Sequence, residues 1–299
     1  MPFCTKKRKF RIENRIFFNN NFLRQNMDKY NFHSHTYRCG HAEGTEEEYI
    51  LKAIEEGFKY YGVSDHVMFP FINQPGIRGD YDINFQPYIT AVNDLKIKYK
   101  NDIDLHIGME VEYSPLLDNY YRDLLKNELD YLIMGQHFHM ENNMQFYNYD
   151  KYQNGVDLYV DDMILGMESG LILYVAHPDQ FVYYYDQRDE RLIKICERVV
   201  KAAKRTDTPL ELNISKVEFL RWQGSKNPEQ EASFPLDMFW RIVGKEHAKV
   251  VIGLDSHHPR FVSTAGFNYA LELVNRYNLN VLDAKEIIKR MDKIKKAIG

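Results

Sequence analysis

The sequence predicts an α/β fold, and two observations and one rule of strand pairing support this prediction. Short apolar segments alternate with amphipathic segments of helical periodicity, and this alternation occurs seven times along the chain. Strands that alternate with helices pair in parallel, because each helix returns the chain to the same end of the sheet. The sequence has no G-x-G-x-x-G or Walker loop to favour an open nucleotide-binding sheet. A closed or nearly closed barrel is therefore the economical arrangement.

The predicted strands are short apolar runs. They cover residues 30–36, 60–64, 105–111, 131–134, 171–176, 209–214 and 249–254. In a parallel barrel the carboxyl ends of all strands lie on one rim, and this rim is the catalytic face.

The predicted helices begin and end at recognisable residues. The first begins after Thr45, an N-cap residue that precedes three glutamates, and Gly57 helps to end it. The others cover residues 85–100, 116–127, 156–169, 190–205, 236–246, 265–277 and 284–298. Loops are predicted at 70–82, at 139–153 and in a polar segment through Gly224 and Pro228. The loop at 139–153 is of the kind that shapes the rim of an active site.

The composition is that of an ordinary folded protein. Apolar residues make up 44% and charged residues 27% of the 299 residues. The cysteines Cys4, Cys39 and Cys196 are widely spaced and form no Cys-x-x-Cys, which favours a reducing compartment over a disulfide framework. The longest apolar runs are of strand length, far from the roughly 20 residues that a transmembrane helix needs. We therefore expect a cytoplasmic protein.

Residues 1–26 differ in charge from the rest of the chain. They contribute +6 to a net charge of −4, so the remaining residues carry −10. The segment lacks the apolar core and the cleavage site of a secretory signal. We expect a basic, poorly ordered N-terminal extension, or sequence upstream of the natural start, ahead of a single domain over residues 27–299. A targeting or nucleic-acid-binding arm is the alternative.

Histidines and carboxylates collect at the predicted strand ends. In His33-Ser-His35 the imidazoles are two residues apart and share one face of an extended strand. The full set of candidate metal ligands is His33, His35, His41, His66, Glu110, His137, His177, Asp255 and His257. Imidazole nitrogen and carboxylate oxygen bind zinc, manganese and iron. Nine ligands suit two or three ions, which can bind a phosphate ester and activate water, although any single histidine also fits a buried structural role.

Seven short motifs carry these residues: His33-Ser-His35, Cys39-Gly-His41-Ala, Ser64-Asp65-His66, Gly108-Met-Glu110-Val, Gly135-Gln-His137, Ala176-His177-Pro178 and Gly253-Leu-Asp255-Ser-His257. Together they resemble the polymerase and histidinol phosphatase (PHP) superfamily, specifically its histidinol-phosphatase branch. The resemblance implies a distorted seven-stranded (β/α)7, TIM-like barrel with a trinuclear metal site at the C-terminal strand ends. It implies that one ion is held by His33, His35, Glu110 and Asp255, a second by Glu110, His137 and His177, and a third by His41, His66 and His257.

The resemblance also implies an activity. We expect a metal-dependent phosphomonoesterase that hydrolyses L-histidinol phosphate to L-histidinol and phosphate, in histidine biosynthesis. Glu110, Asp255 and His257 are its candidate catalytic residues, and Asp255 or an adjacent histidine is expected to pass a proton to the leaving alkoxide. A related phosphoesterase acting on nucleotides, short oligonucleotides or phosphotyrosyl peptides is the first alternative. The second is a non-catalytic, metal-stabilised domain, which the complete ligand set disfavours.

The expected partner is a small-molecule phosphate ester. The charge of −10 beyond residue 26 disfavours a long nucleic-acid track. Arg78 and Arg260 are candidate phosphate clamps, because a guanidinium pairs with two phosphate oxygens, and both also fit exposed surface positions. Glu112 is expected either to bind the substrate ammonium or to orient a metal-bound histidine. Tyr113 and His139 are candidates for the wall around the imidazole of the substrate.

Overall fold

The computed structural model describes residues 27–140, 145–147, 155–186, 189–233 and 236–299. The predicted N-terminal extension, residues 1–26, lies outside the described residues, as does part of the predicted loop at 139–153. Within the described ranges, no helix combines the length and the apolar composition that crossing a bilayer demands.

Parallel strands form the centre of the fold. The strands of the described part are β1 (Tyr30–Asn31), β2 (Tyr60–Val63), β3 (Asp104–Val111), β4 (Tyr131–Met134), β5 (Phe138–His139), β6 (Gln145–Phe146), β7 (Leu210–Asn213), β8 (Lys249–Gly253) and β9 (Asn280–Val281). Strands β1 to β4 form one parallel sheet in chain order, and β7 to β9 form a second. Strands β5 and β6 form a separate antiparallel pair.

Isolated bridges connect the two parallel sheets. Val175 forms parallel bridges with Met134 at the end of β4 and with Leu210 at the start of β7. Ser34 forms a parallel bridge with Ser256, beyond β8. The result is an α/β fold with a curled parallel sheet, as the sequence predicts. The predicted strand at 171–176 has its bridges at Val175, and backbone hydrogen bonds along residues 173–176 join it to its neighbours. Strand β9 is one that the sequence did not predict.

The helices of the described part are α1 (Glu46–Glu55), α2 (Tyr81–Lys98), α3 (Asp118–Asn127), α4 (Gly155–Ser169), α5 (Glu190–Thr206), α6 (Ser215–Trp222), α7 (Pro228–Ser233), α8 (Asp237–Glu246), α9 (Thr264–Arg276) and α10 (Ala284–Ile298). Helix α1 begins with a capping box, in which Thr45 and Glu48 satisfy each other's backbone N–H groups. The predicted polar loop through Gly224 and Pro228 is shorter than expected, because Gly224 lies in the turn between α6 and α7 whereas Pro228 belongs to α7. Pro228 is the first residue of α7, a position where its missing N–H costs nothing.

A buried tyrosine fixes the first four strands. The Tyr131 side chain on β4 crosses the inner face, and its hydroxyl donates a hydrogen bond to the carbonyl oxygen of Phe32 at 2.9 Å. Gly62 on β2 and Gly108 on β3 make room for this ring, since a Cβ at either position would lie 2.2–2.4 Å from atoms of Tyr131. The large ring on β4 thus fits against glycines on β2 and β3. This close packing aligns the strand ends that carry the candidate ligands.

Candidate metal centre

The chain beyond β1 carries the first two candidate ligands. His33 and His35 are fully buried, and their Nε2 atoms are 3.1 Å apart. Ser34, between them, instead donates a hydrogen bond to the carbonyl oxygen of Gly62 at 3.1 Å. This alternation is the one that the His-x-His spacing predicts for an extended chain.

Glu110 on β3 lies at the centre of the candidate ligands. Its Oε2 is 3.1 Å from Nδ1 of His66 and 3.4–3.5 Å from Nε2 of His35 and His33. Its Oε1 is 2.9 Å from Nε2 of His177 and 3.9 Å from Nε2 of His137. Each oxygen of a single buried carboxylate therefore faces a different group of imidazoles, which is the arrangement that a bridging ligand requires.

Asp255, just beyond β8, has one oxygen aimed at the same centre. Its Oδ1 is 3.3–3.4 Å from ring nitrogens of His33, His35 and His257. Within the described residues this oxygen accepts no hydrogen bond of acceptable geometry, although it is buried. The backbone of Asp255 has φ of 46°, and that of His177 has φ of 30°. Non-glycine residues in this region are strained, and such strain concentrates at functional sites.

His41 and His257 form the open side of the site. Their Nε2 atoms lie 3.2 Å apart, and the Nδ1 atom of each is 3.3 Å from a backbone carbonyl oxygen. Two ring nitrogens at this distance repel one another unless a proton or a cation lies between them.

These contacts define groups of ligand atoms that fit a divalent metal. In each group the ligand atoms lie within 4.8 Å of one another. The groups made of predicted ligands are His33–His35–Asp255, His33–Glu110–His177, His66–Glu110–His137 and His35–His66–His257. Nitrogen and carboxylate oxygen donors at these separations, together with the unsatisfied Oδ1 of Asp255, suit a divalent transition metal.

Glu211 on β7 is a site residue that the sequence reasoning missed. Its Oε1 lies 2.7 Å from Nδ1 of His33, and its Oε2 accepts a hydrogen bond from the backbone N–H of His177 at 2.9 Å. The amide of Asn213 donates to Glu211 at 2.9 Å and to Asp255 at 3.1 Å. The available signal was a charged residue inside an apolar strand, since Glu211 is fully buried between Leu210 and Leu212.

Two glycines make room for the buried carboxylates. A Cβ at Gly135 would lie 1.8 Å from Oε1 of Glu110, and a Cβ at Gly253 would lie 1.7 Å from Oε1 of Glu211. Both glycines have ordinary negative φ angles, so they are required for space and not for backbone conformation.

The carboxylates hold charge in this buried setting. Burial alone would raise the pKa of Glu110 and of Asp255, but the surrounding imidazoles outweigh it and hold both pKa values well below their usual range. Burial likewise opposes protonation of His33, yet the charges of Glu211, Asp255 and Glu110 raise its pKa well above the ordinary value. The site is therefore an array of anions that attracts positive charge, whether protons or metal ions.

Other imidazoles are held neutral. Burial and the nearby His257 lower the pKa of His35 to about 3. Burial and the nearby His35 lower the pKa of His66 well below its ordinary value, and burial and His257 lower that of His41. A neutral imidazole is the form that binds a metal, so these side chains are ready to act as ligands at neutral pH.

The structure corrects the roles expected for Arg78 and Glu112. Both are buried at 1% exposure, and the Arg78 guanidinium donates to both oxygens of Glu112 at 3.1–3.2 Å. The expectation that Arg78 clamps phosphate is wrong, because its nitrogens are already bound inside the protein. The ammonium-binding role of Glu112 is wrong for the same reason. Its Oε1 lies 3.2 Å from Nδ1 of His137, which supports the alternative that it orients this imidazole.

The other expected substrate contacts also point elsewhere. Tyr113 is buried, and its hydroxyl donates to Asp118 on α3 at 3.0 Å, so the prediction of a wall residue is wrong. Nδ1 of His139 lies 2.7 Å from Asp162 on α4. Arg260 is exposed, with one guanidinium nitrogen 2.6 Å from Nε2 of His258. None of these side chains is among the described residues that line the cavity over the site.

A cavity of about 260 Å³ opens over the candidate ligands. Its described lining consists of His41, His66, Gly76, Ile77, Glu110, His137, Phe138, Phe146, His177, Asp255 and His257. The floor is therefore made of ligand side chains and the walls of apolar ones. Phe146 on β6 packs against Phe138 with ring centroids 4.3 Å apart and is nevertheless 68% exposed, so an aromatic face is available beside the metal site.

A curled parallel α/β sheet with imidazoles and carboxylates gathered at its carboxyl edge defines a metal-binding domain of the barrel-like class. Divalent metal binding is the chemistry that this donor set supports. The model of the PHP domain matches residues 31–215, and the chain belongs to this family.

Individual relatives agree with this assignment. A Schizosaccharomyces pombe protein named "Probable histidinol-phosphatase" is 24% identical in an alignment of 271 residues, and the match covers 80% of this chain and 83% of the relative. A Shewanella amazonensis protein named "Probable phosphatase" is 25% identical over 247 residues, or 81% of each chain. The crystal structure of a histidinol phosphate phosphatase from Lactococcus lactis, complexed with zinc, L-histidinol and phosphate, is similar with a TM-score of 0.63. That match has 19% identity and covers 85% of this chain and 95% of the other, so it supports the fold.

Proposed function

We propose that this protein is a metal-dependent phosphomonoesterase that hydrolyses L-histidinol phosphate to L-histidinol and phosphate in histidine biosynthesis. The observation that carries the proposal is the position of Glu110, whose two oxygens face five imidazoles at 2.9–3.9 Å beneath an open cavity. The choice of substrate rests on the relatives named above. They include a probable histidinol-phosphatase and a histidinol phosphate phosphatase complexed with zinc, L-histidinol and phosphate.

The proposed cofactor is two or three divalent ions, drawn from zinc, manganese and iron. We assign the first to His33, His35, Glu110 and Asp255, the second to Glu110, His137 and His177, and the third to His41, His66 and His257. The short contacts among His33, His35 and Asp255 support the first set, and the contact of Glu110 with His177 supports the second. The third set has less support, because the compact groups of ligand atoms among the described residues place His66 and His257 with His35 and do not include His41.

Divalent ions bound here would supply a nucleophilic hydroxide from water at neutral pH and would neutralise charge on the phosphoryl oxygens. The residues of the chain hold the reacting groups in place. Glu211 and Asn213 fix His33 and Asp255 by the hydrogen bonds described above, which keeps the floor of the cavity rigid. His257 is 30% exposed at the open side of the cavity, and its Nδ1 is 3.3 Å from Oδ1 of Asp255. His257 is therefore placed to hold the proton that the leaving alkoxide needs, and the anionic Asp255 orients its ring.

Substrate selection is assigned to the apolar wall. With Glu112 and Arg78 bound to each other, the described groups beside the ligands are the rings of Phe138 and Phe146 and the side chain of Ile77. An imidazole or imidazolium ring packs well on an aromatic face. Phe146→Ala is therefore expected to raise KM for histidinol phosphate more than KM for a small alkyl phosphate.

We also propose that residues 27–299 form one domain with a distorted seven-stranded barrel. The single bridges of Val175 to β4 and β7 support a seventh strand between them, and the bridge of Ser34 to Ser256 supports closure. Backbone hydrogen bonds of Leu173 and Ala176 to β4, and of Val175 to the chain at the start of β7, extend this pairing beyond the bridges.

A substrate panel tests the proposed function. Full-length protein loaded with zinc or manganese is assayed for phosphate release from histidinol phosphate, a nucleoside bisphosphate, a short oligonucleotide and a phosphotyrosyl peptide. The proposal predicts the highest kcat/KM on histidinol phosphate, and His137→Ala serves as the inactive control. Preference for any other member of the panel would replace histidinol phosphate by that substrate class. No turnover on the entire panel would favour a non-catalytic metal-binding domain.

A further inference from the structure

Arg78 is fully surrounded by the protein, in the loop between β2 and α2. Besides its bonds to Glu112, it donates to the carbonyl oxygen of Val67 at 2.9 Å and to the side chain of Gln74 at 2.7 Å. The guanidinium also lies over the ring of Phe69 at 5.0 Å and that of Phe138 at 5.6 Å. Every guanidinium nitrogen is thus engaged, and the planar group is fixed in one orientation.

Two of these contacts lead directly to candidate ligands. Glu112 accepts the bidentate pair from Arg78 and also contacts Nδ1 of His137. A carboxylate at Nδ1 of an imidazole fixes the tautomer and turns Nε2 toward the metal. Val67 directly follows His66, so the Arg78 bond to its carbonyl also restrains the backbone beside a second ligand.

Other contacts lead to the cavity wall. Gly76 and Ile77, the residues just before Arg78, line the cavity, and so does Phe138 beside the guanidinium. The same loop packs closely against the turn that precedes His41. A Cβ at Gly40 would lie 3.1 Å from the backbone of Gly76. The loop therefore packs between the segments that carry His41 and His137, and the Arg78 side chain binds it to the protein interior.

We propose that Arg78 is a positioning residue, which fixes the cavity wall and the imidazole of His137 in one arrangement through Glu112. The proposal uses the metal-binding part of the proposed function and is independent of the substrate. The competing explanation is that Arg78 only neutralises the buried charge of Glu112. Lysine separates the two, because an ammonium keeps the charge but cannot form two parallel bonds to a carboxylate or stack as a plane between aromatic rings.

The test compares Arg78→Lys with Arg290→Lys in the zinc-loaded full-length protein. Arg290 is a matched control, since it is a mostly buried arginine on α10 that donates to the carbonyl oxygens of Leu173, Ile172 and Asp207, away from the site. Zinc retention is measured by titration with a competing chelator, and the coordination geometry by the visible absorption of the cobalt-loaded form. Arg78→Lys is expected to weaken zinc retention roughly 10- to 100-fold, the effect typical of partners that orient a ligand, and to shift the cobalt spectrum. Arg290→Lys is expected to lower the melting temperature with zinc retention and spectrum unchanged.

Two results would overturn the proposal. One is wild-type zinc retention and an unchanged cobalt spectrum in Arg78→Lys. The other is an equal loss in both variants, which would indicate general loosening of the fold. If Arg78→Lys does not fold, the double variant Arg78→Gln/Glu112→Gln removes both buried charges but keeps an amide oxygen that can accept from His137. Weakened zinc retention in this variant would support the positioning role, and wild-type retention would overturn it. Because no substrate is present, the outcome is independent of whether histidinol phosphate is hydrolysed.

Discussion

The two sides of the metal site are built differently. We call His33, His35, Glu110 and Asp255 the inner cluster, and His41 with His257 the outer pair. The inner cluster is buried, with side-chain exposures of 0–1% for its first three members and 13% for Asp255. Glu211 and Asn213 hold it from behind through side-chain hydrogen bonds. The outer pair is partly exposed, and at Nδ1 its rings contact the backbone carbonyl oxygens of Cys39 and Asp255.

This difference implies a division of labour. Charges in the buried cluster interact through a medium of low effective dielectric, so a cation there is bound strongly and in one geometry. The outer imidazoles lie nearer to water, and the carbonyl contact at Nδ1 of His41 restrains this ring less than a carboxylate would. We therefore expect the inner cluster to hold its metal tightly and the outer pair to exchange metal and admit substrate. The four predictions that follow test this contrast.

Glu110→Gln is expected to have the largest effect. The carboxylate faces both groups of imidazoles, and losing its charge removes the shared anion of the inner cluster. Loss of a partner that only orients a ligand lowers metal affinity or activity about 10- to 100-fold. Removal of this central carboxylate should therefore lower the rate of phosphate release more than about 100-fold. Metal content by mass spectrometry should fall as well. Glu55→Gln, at an exposed position on α1, is the control and should behave as wild type; wild-type activity of Glu110→Gln would remove the bridging role.

Glu211→Gln tests whether the support behind the inner cluster matters. The amide keeps the shape but loses the charge that holds His33 at 2.7 Å. We expect roughly 10- to 100-fold weaker zinc retention, measured by chelator competition. Glu218→Gln is a matched control, since Glu218 is a mostly buried acid on α6 that pairs with Arg221. Equal zinc retention in Glu211→Gln and wild type would show that burial alone holds the inner cluster.

His41→Ala tests the outer pair. Its removal leaves His257 as the remaining member, so the most weakly held ion should be lost while the inner metal stays bound. The expected result is a lower zinc stoichiometry with about 10-fold lower activity, which added zinc partly restores. Loss of all metal would contradict the division between the two sides, because it would mean that they bind as one unit.

Arg260→Ala is expected to have the smallest effect. Its guanidinium contacts His258 and lies over Trp222 at 5.6 Å, on the surface beyond the outer pair. An exposed contact of this kind contributes about 0–1 kcal/mol, so kcat/KM should change less than about 5-fold. A loss above about 30-fold on every phosphate ester would restore the phosphate-clamp role that the sequence suggested.

The sequence by itself determined the family, the α/β alternation and the nine candidate ligands. These features are local, since His-x-His parity, N-caps such as Thr45 and the polar residue after an apolar strand depend on neighbours along the chain. Six of the seven motifs that carry the resemblance, from His33 to Pro178, lie within the residues 31–215 that match the PHP domain. Helix α10 was predicted with the bounds that the structure has, because its periodic apolar face and cap are continuous in sequence.

Only the tertiary structure decided which partner each charged group has. Glu112 lies two residues beyond Glu110, just past the end of β3 at Val111, and like Glu110 it approaches the imidazole of His137. Its partner Arg78 is 34 residues away, and Glu211 reaches His33 across 178 residues. A buried charge must be compensated, yet the sequence offers many candidates for each and does not give the distances among them. The fold decides the pairing, because it brings strand ends and a loop to one point. Arg78 and Glu112, which the sequence suggested as substrate contacts, therefore bind each other beside the metal site.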